Sequence, residues 1–284
     1  MTEPRMIFGM GDGIKIQLAD WAGQGPAVLC VHGITANCRC WDNMARALSP
    51  DYRVLAMDLR GRGYSDKPPT GYSLSYHCED IRCLLDDLEL DKVVLMGHSL
   101  GAFITLAFSA AYPERVERLV LVDGGGKLSE EEMAKVFEGI KPSLDRLGKV
   151  FPSFEDYLKN IKKAPFLKPW LPIMDTYYSY EIQEVQGGVR SGILPEHIEE
   201  EAANLGKVEV SDFYTKVACP VLILRATEGL LAQDDILLPE DVVARMVQDI
   251  PNATRYDVQG ANHYMIVFQD IEERDKVIKE FLSS

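Results

Sequence analysis

Hydrophobic positions along this chain follow two patterns that take turns. Residues 27–31, 54–57, 93–96 and 119–122 are short unbroken apolar runs, and 221–224 is a fifth. Runs of this length between turn residues predict strands covered on both faces. Residues 14–18 alternate apolar and polar between Gly11-Asp12-Gly13 and Gly23-Gln24-Gly25, which predicts a strand with a turn at each end. Between the runs the period changes. Ile81, Leu84, Leu85 and Leu88 repeat at i, i+3, i+4 and i+7, one face of a helix. Residues 100–112 are alanine-rich and largely apolar, predicting a buried helix, and Val277, Ile278, Phe281 and Leu282 make the apolar stripe of a charged helix near the end. Strands alternating with helices predict an α/β fold: a mainly parallel twisted sheet with helices on both faces. Right-handed crossovers then bring the functional loops to the carboxyl ends of the strands.

The alternation stops near residue 127, and from there to 216 no stretch reads as a good strand. Ser129 and Ser153 each precede an acid three residues on, Glu132 and Asp156, the pattern of a capped helix start. Leu194-Pro195-Glu196 opens another helix. We read 127–216 as an inserted helical cap, a lid over the active edge of a core formed by 1–126 and 217–284. Its aromatics, among them Phe137, Tyr157, Trp170, Tyr177 and Tyr178, are expected mostly to pack the cap and in part to line an apolar pocket. The glycine triplet 124–126 reads as a flexible entry to it.

Composition narrows the partners. The 284 residues are 46% hydrophobic and 26% charged, which suits one large α/β domain with an insertion. The balance of 30 Lys+Arg against 44 Asp+Glu leaves a net charge of −14. Such a surface repels phosphate backbones and anionic lipid, so neither nucleic acid nor a membrane is an expected partner. There is no bilayer-length apolar run and no basic start leading into an apolar stretch, so the expected location is the cytoplasm. The six cysteines, at 30, 38, 40, 78, 83 and 219, lack a zinc-knuckle spacing and have no histidine pair to complete a ligand set. Reduced thiols, no metal and no cofactor are the expectation.

Gly97-His98-Ser99-Leu100-Gly101 carries the chemistry. It follows the apolar run 93–96 and opens the helix at 100, the context a G-x-S-x-G nucleophile elbow requires. A tight strand-to-helix turn strains the serine backbone and lifts its hydroxyl clear of the sheet, and side chains at 97 and 101 would collide. A serine hydroxyl needs a base to become a nucleophile, and His263 is the candidate. It follows a short predicted strand, 255–258, and precedes the last helix. His32 is expected to order its own turn, and His98 occupies the elbow's variable position.

With these residues the chain resembles the α/β-hydrolase fold family over nearly its whole length. Val31-His32-Gly33-Ile34 is similar to the family's His-Gly turn. Asp58-Leu59-Arg60-Gly61-Arg62-Gly63-Tyr64-Ser65 resembles its D-x-R-G-x-G-x-S loop. Gly260-Ala261-Asn262-His263 resembles its catalytic-histidine loop, with Asn262 where glycine is usual. The resemblance implies oxyanion donors on the backbone N–H groups of Leu100 and Ile34. It implies an acid after the strand that follows the cap, but there the sequence reads Thr227-Glu228-Gly229, with glycine where aspartate is expected. Some members carry the acid one strand earlier, where Asp123 ends the run 119–122. Asp123 is the preferred acid, with Glu228, and less so Asp234 or Asp235, as alternatives. Asp58 reads as a brace for its loop. Arg190 reads as a surface or capping residue, with binding of a substrate carboxylate as the alternative.

The function implied is a serine hydrolase acting on a small-molecule carboxylic ester through an acyl-enzyme. Lactone, amide or enamide, and carbon–carbon bond hydrolysis on the same scaffold are alternatives, and a receptor-like binding protein is the reading from another class. Haloalkane dehalogenases and epoxide hydrolases resemble the architecture but place aspartate at the elbow, and position 99 is serine.

Overall fold

A computed structural model describes residues 3–232 and 234–284. The unbroken apolar runs become the middle of a sheet because both of their faces are covered. On β3 (Gly25–Val31), β5 (Val93–His98), β6 (Val116–Val122) and β9 (Val221–Glu228), successive side chains alternate between two hydrophobic cores. Cys30, Met96, Val120 and Leu222 enter one, and Leu29, Leu95, Leu119 and Val221 the other. The second core is closed by the helices Leu74–Asp87, Leu100–Ala111 and Glu240–Asp249.

The full sheet adds β1 (Arg5–Met10), β2 (Lys15–Trp21), β4 (Tyr52–Met57) and β10 (Ala253–Asn262), in the order β1-β2-β4-β3-β5-β6-β9-β10. From β4 to β10 every neighbouring pair is parallel, whereas β2 runs antiparallel to β4, and β1 antiparallel to β2. The fold is therefore α/β with a mostly parallel, mixed eight-stranded sheet. Strand β1 is not signalled by the sequence pattern. It is an edge strand whose outward residues Met6, Phe8 and Met10 are exposed, so the usual alternation is inverted.

Between β6 and β9 lie the helices Glu130–Leu144, Phe154–Ile161, Pro172–Glu181, Pro195–Leu205 and Ser211–Tyr214. Ser129 and Glu132 form a reciprocal capping box, and Ser153 accepts from the Asp156 amide, as their spacing predicts. The expectation of no strand here is corrected by a two-stranded hairpin, β7 (Ile182–Val185) and β8 (Gly188–Ser191). Each strand has four residues of mixed polarity, too short for a period to register, and Gly187 (φ 94°) makes the turn.

The glycine triplet is also not the loose entry it reads as. It is buried, and a Cβ at Gly124 would lie 2.6 Å from the Ser99 carbonyl oxygen, so glycine is needed for close approach of two backbones. All six cysteines are free, and Cys83 alone of them is not fully buried. Among the described residues no group of three His, Cys, Asp or Glu side chains is arranged to hold a metal, and no helix is long and apolar enough to cross a membrane.

Candidate active site

Strand β5 passes directly into the helix Leu100–Ala111, and Ser99 makes the joint at φ 56° and ψ −120°. That backbone costs a side-chain-bearing residue about 1–3 kcal/mol and persists because its surroundings dictate it. A Cβ at Gly97 would overlap the Gly101 carbonyl, and one at Gly101 the Val31 carbonyl. The Ser99 N–H donates to Val122 O at 3.1 Å, tying the turn to the tip of β6.

Parallel register sets His98 of β5 beside Val122 of β6, so the residue after each strand emerges at the same sheet edge. That residue on β6 is Asp123, also at positive φ (45°), with its N–H donating to Leu224 O at 2.7 Å. Its Oδ1 accepts from the Ala226 N–H at 3.0 Å, and its Oδ2 lies 2.8 Å from His263 Nδ1. Both side chains are buried. A carboxylate accepts only, so Nδ1 carries the ring proton in the neutral imidazole and leaves Nε2 with a lone pair.

The other carboxylates weighed for this position are elsewhere. Glu228 is exposed at the end of β9. Asp234 is exposed and lies 3.4 Å from Lys135. Asp235 is turned into its own loop, accepting from the amides of Leu230, Leu231 and Ala232.

His263 is held from three sides. Its ring lies over that of His98, centroids 4.4 Å apart, and His98 Nε2 is 2.9 Å from the His263 carbonyl oxygen. Burial drives the His98 pKa well down, so the ring is neutral and donates from Nε2. The variable elbow position therefore buttresses the histidine loop, a role the motif does not signal. Asn262 accepts from the amides of Tyr264 and Met265, both at 3.0 Å, and donates to Phe166 O at 3.0 Å. The asparagine in place of glycine thus turns the chain toward the short helix Met265–Phe268 and ties the histidine loop to the segment between β6 and β9.

The His-Gly turn stands opposite. The Leu59 N–H donates to His32 Nε2, which leaves Nδ1–H to donate to Gly33 O at 2.8 Å. Burial lowers His32 to about 4, keeping this neutral tautomer at neutral pH. Among the described residues, the amides of Ile34 and Leu100 have no hydrogen-bond partner in the chain. Asp58 accepts from the amides of Cys38 and Tyr64 and from the Tyr180 hydroxyl at 2.7 Å, bracing its loop.

Ser99 sits on the wall between two small lobes. One, about 60 Å³, is lined by Leu100, Phe103, Asp123, Met133, Phe137 and Leu237 among others. The other, about 40 Å³, is lined by Gly33, Cys40, His98, Tyr177, His263 and Phe268 among others. Ile34 and Ile140 border both. Ser99 and His263 share the second lobe without a hydrogen bond between hydroxyl and ring; such bonds commonly tighten only when substrate binds. Of the aromatics between residues 127 and 216, Phe137 and Tyr177 reach these lobes, while Tyr157, Trp170 and Tyr178 pack against one another within that segment. Arg190 lies on β8 and lines neither lobe.

Known proteins share this arrangement of strands and loops. The sequence pattern of the alpha/beta hydrolase fold matches residues 26–156, and a solved E-2-(acetamidomethylene)succinate hydrolase superposes with a TM-score of 0.84 at 25% identity, covering 99% of this chain and 100% of that one. The chain has the α/β-hydrolase fold. The 2-(acetamidomethylene)succinate hydrolase of Mesorhizobium japonicum is 28% identical over 253 residues, 86% of this chain and 83% of that protein. An uncharacterised Mycobacterium tuberculosis protein is 41% identical over 105 residues. That match spans 37% of this α/β-hydrolase chain and about a third (31%) of the mycobacterial protein's length.

Proposed function

We propose that this chain is a serine hydrolase that cleaves carboxylic esters through an acyl-enzyme. One arrangement supports the reading above the rest: the buried Asp123–His263 pair at 2.8 Å, each member lining one of the two lobes that meet at a serine held at φ 56°. In this reading His263 Nε2 takes the Ser99 proton as Oγ attacks the ester carbonyl, and Asp123 steadies the imidazolium that results. The amides of Ile34 and Leu100 donate to the tetrahedral oxyanion. Leu100 opens a helix, so its N–H also carries the partial positive charge of the helix end. Collapse expels the alcohol, with the His263 proton passing to it. Water, deprotonated by the same ring, then releases the acid.

The lobes favour a small, uncharged substrate. Each is well below the ~150 Å³ of a cavity that accepts benzene, which suits an acetyl or propionyl group better than a long chain. Neither is lined by a lysine or arginine. A second reading, hydrolysis of an enamide, draws on the likeness to the 2-(acetamidomethylene)succinate hydrolases. A succinate brings carboxylates, and with no cation in the lobes to receive them, a neutral acyl compound is the better fit here.

The test is turnover of p-nitrophenyl acetate and butyrate by the wild type and by Ser99→Ala, with covalent labelling by a fluorophosphonate. Rapid turnover lost in the variant, with the label on Ser99, supports the proposal. Stoichiometric binding of the esters without turnover would replace it with a receptor-like role.

A further inference from the structure

The turn carrying Ile34 is gripped on its outer side. Gly33 to Ala36 closes with the Ala36 N–H donating to Gly33 O at 3.2 Å. Three consecutive carbonyls in this turn also have a side-chain donor. His32 Nδ1 donates to Gly33 O at 2.8 Å, Arg62 Nε to Ile34 O at 3.1 Å, and Arg146 Nη2 to Thr35 O at 2.9 Å. In a trans peptide the N–H points opposite to the preceding C=O. Anchoring Gly33 O therefore aims the Ile34 N–H, and anchoring the next two carbonyls keeps the following peptide planes from rotating it away.

Both arginines are buried, and each is held by a carboxylate from the inserted segment. Arg62 Nη2 donates to Glu201 Oε2 at 3.0 Å. Arg146 meets Glu181 in a two-pronged pair at 2.9 and 2.8 Å. Glu201 lies in the helix Pro195–Leu205, and Glu181 ends the helix Pro172–Glu181. Buried ion pairs of this kind contribute little net stability, since desolvation offsets their attraction. A guanidinium, however, can grip a carboxylate with one edge and a carbonyl with the other, which a lysine ammonium on its flexible stem cannot do in one fixed geometry.

We propose that Arg146 and Arg62 are positioning residues for the Ile34 amide: through them, Glu181 and Glu201 of the cap hold the turn in the conformation that donates to an oxyanion. Seating of the cap and competence of the oxyanion site become one event. The proposal rests on the serine-hydrolase reading above.

Arg146→Lys is the first test, because it keeps a cation against Glu181 and gives up the reach to Thr35. Arg146→Met/Glu181→Gln is the second; it removes both charges together and leaves Tyr157 an acceptor. Steady-state kinetics with p-nitrophenyl acetate are read beside the affinity of an alkylboronic acid, whose tetrahedral serine adduct places an oxygen where the oxyanion forms. We expect kcat to fall about tenfold in Arg146→Lys, with KM within about twofold. Boronate affinity should fall by the same factor as kcat/KM. The pH dependence of kcat should not move, because the Asp123–His263 pair is untouched. The double variant should show a loss at least as large at a melting temperature near that of the wild type. Folded variants with wild-type kcat and boronate affinity overturn the proposal, as does a loss confined to KM, or a fall in kcat that boronate affinity does not follow. A wild type that neither turns over the ester nor takes up the boronate sinks the serine-hydrolase reading and this inference together. A fully active wild type matched by both variants removes this inference alone.

Discussion

Replacing Asp123 with asparagine removes one charge and no heavy atoms, and the surroundings dictate what the amide must do. Oδ1 of Asp123 accepts from the Ala226 N–H at 3.0 Å, and no amide nitrogen can take that place. The side-chain carbonyl of the introduced asparagine therefore stays with Ala226, and its NH₂ group turns to His263 Nδ1, now 2.8 Å from a donor instead of an acceptor. Nδ1 must then accept, the ring proton moves to Nε2, and the nitrogen meant to take the Ser99 proton can no longer do so. Losing the base in this way lowers kcat by about 10³- to 10⁴-fold, or about 4 to 5.5 kcal/mol of barrier. Folding stability should change little, because the Ala226 bond survives. The assay is steady-state hydrolysis of p-nitrophenyl acetate by Asp123→Asn and Glu228→Gln, each with a urea titration. If Asp123→Asn keeps kcat within about tenfold of wild type while Glu228→Gln is crippled, the acid has been misassigned.

Other outcomes follow from the same geometry. With lobes of about 60 and 40 Å³, kcat/KM should drop from p-nitrophenyl acetate or butyrate to octanoate. Phe137→Ala, on the larger lobe, should restore part of the long-chain activity; equal rates across chain lengths in the wild type would refute the size argument. Gly124→Ala places a methyl group 2.6 Å from the Ser99 carbonyl oxygen and should cost about 1–3 kcal/mol in urea unfolding, with a larger proportional loss of kcat. Stability should also fall on acidification in two windows. His32 is held at about 4, so from the ordinary value near 6.5 down to 4 the unfolded chain binds a proton that the folded one does not, and about 3 kcal/mol is lost. Burial alone would raise Glu201, but the facing His77 and Arg62 bring it down to about 2, so its contribution is present above about 4.5 and disappears as pH falls toward 2. Urea midpoints unchanged between pH 7 and 4 would contradict the first of these, and a Glu201→Gln variant with the wild-type midpoint profile between pH 4.5 and 2.5 would contradict the second.

The centre of the fold was readable because it is buried on two faces. Runs such as 93–96 and 119–122 have no polar side to hide, and the turn residues around them mark their ends. The candidates Ser99 and Asp123 were readable for a related reason, since each follows such a strand, and the connection rules send those loops to the edge where His263, after the partly exposed edge strand β10, also stands. Elements supported by partners far away in sequence were not. Met6, Phe8 and Met10 look outward from the sheet edge, so β1 gives no inward pattern. Arg146 and Glu181 stand 35 residues apart, and no periodicity connects them. Arg62 did carry a local hint, lying between the glycines of the Asp58 loop, yet its contact with Ile34 O depends on packing that no spacing encodes. His98 was passed over because the elbow motif tolerates many residues there, whereas this fold uses its ring against His263.

With Asp123 as the proposed acid, at the tip of β6 beside Ser99, the connection following β9 is released from chemical duty. Asp235 knots that connection through three backbone amides, and Glu228 points to water. Variation between Glu228 and Leu237, whether insertion, deletion or a grafted recognition loop, can reshape the rim by Leu237 while the carboxylate on the neighbouring strand is left alone. For redirecting this scaffold toward new compounds, that is the place to cut.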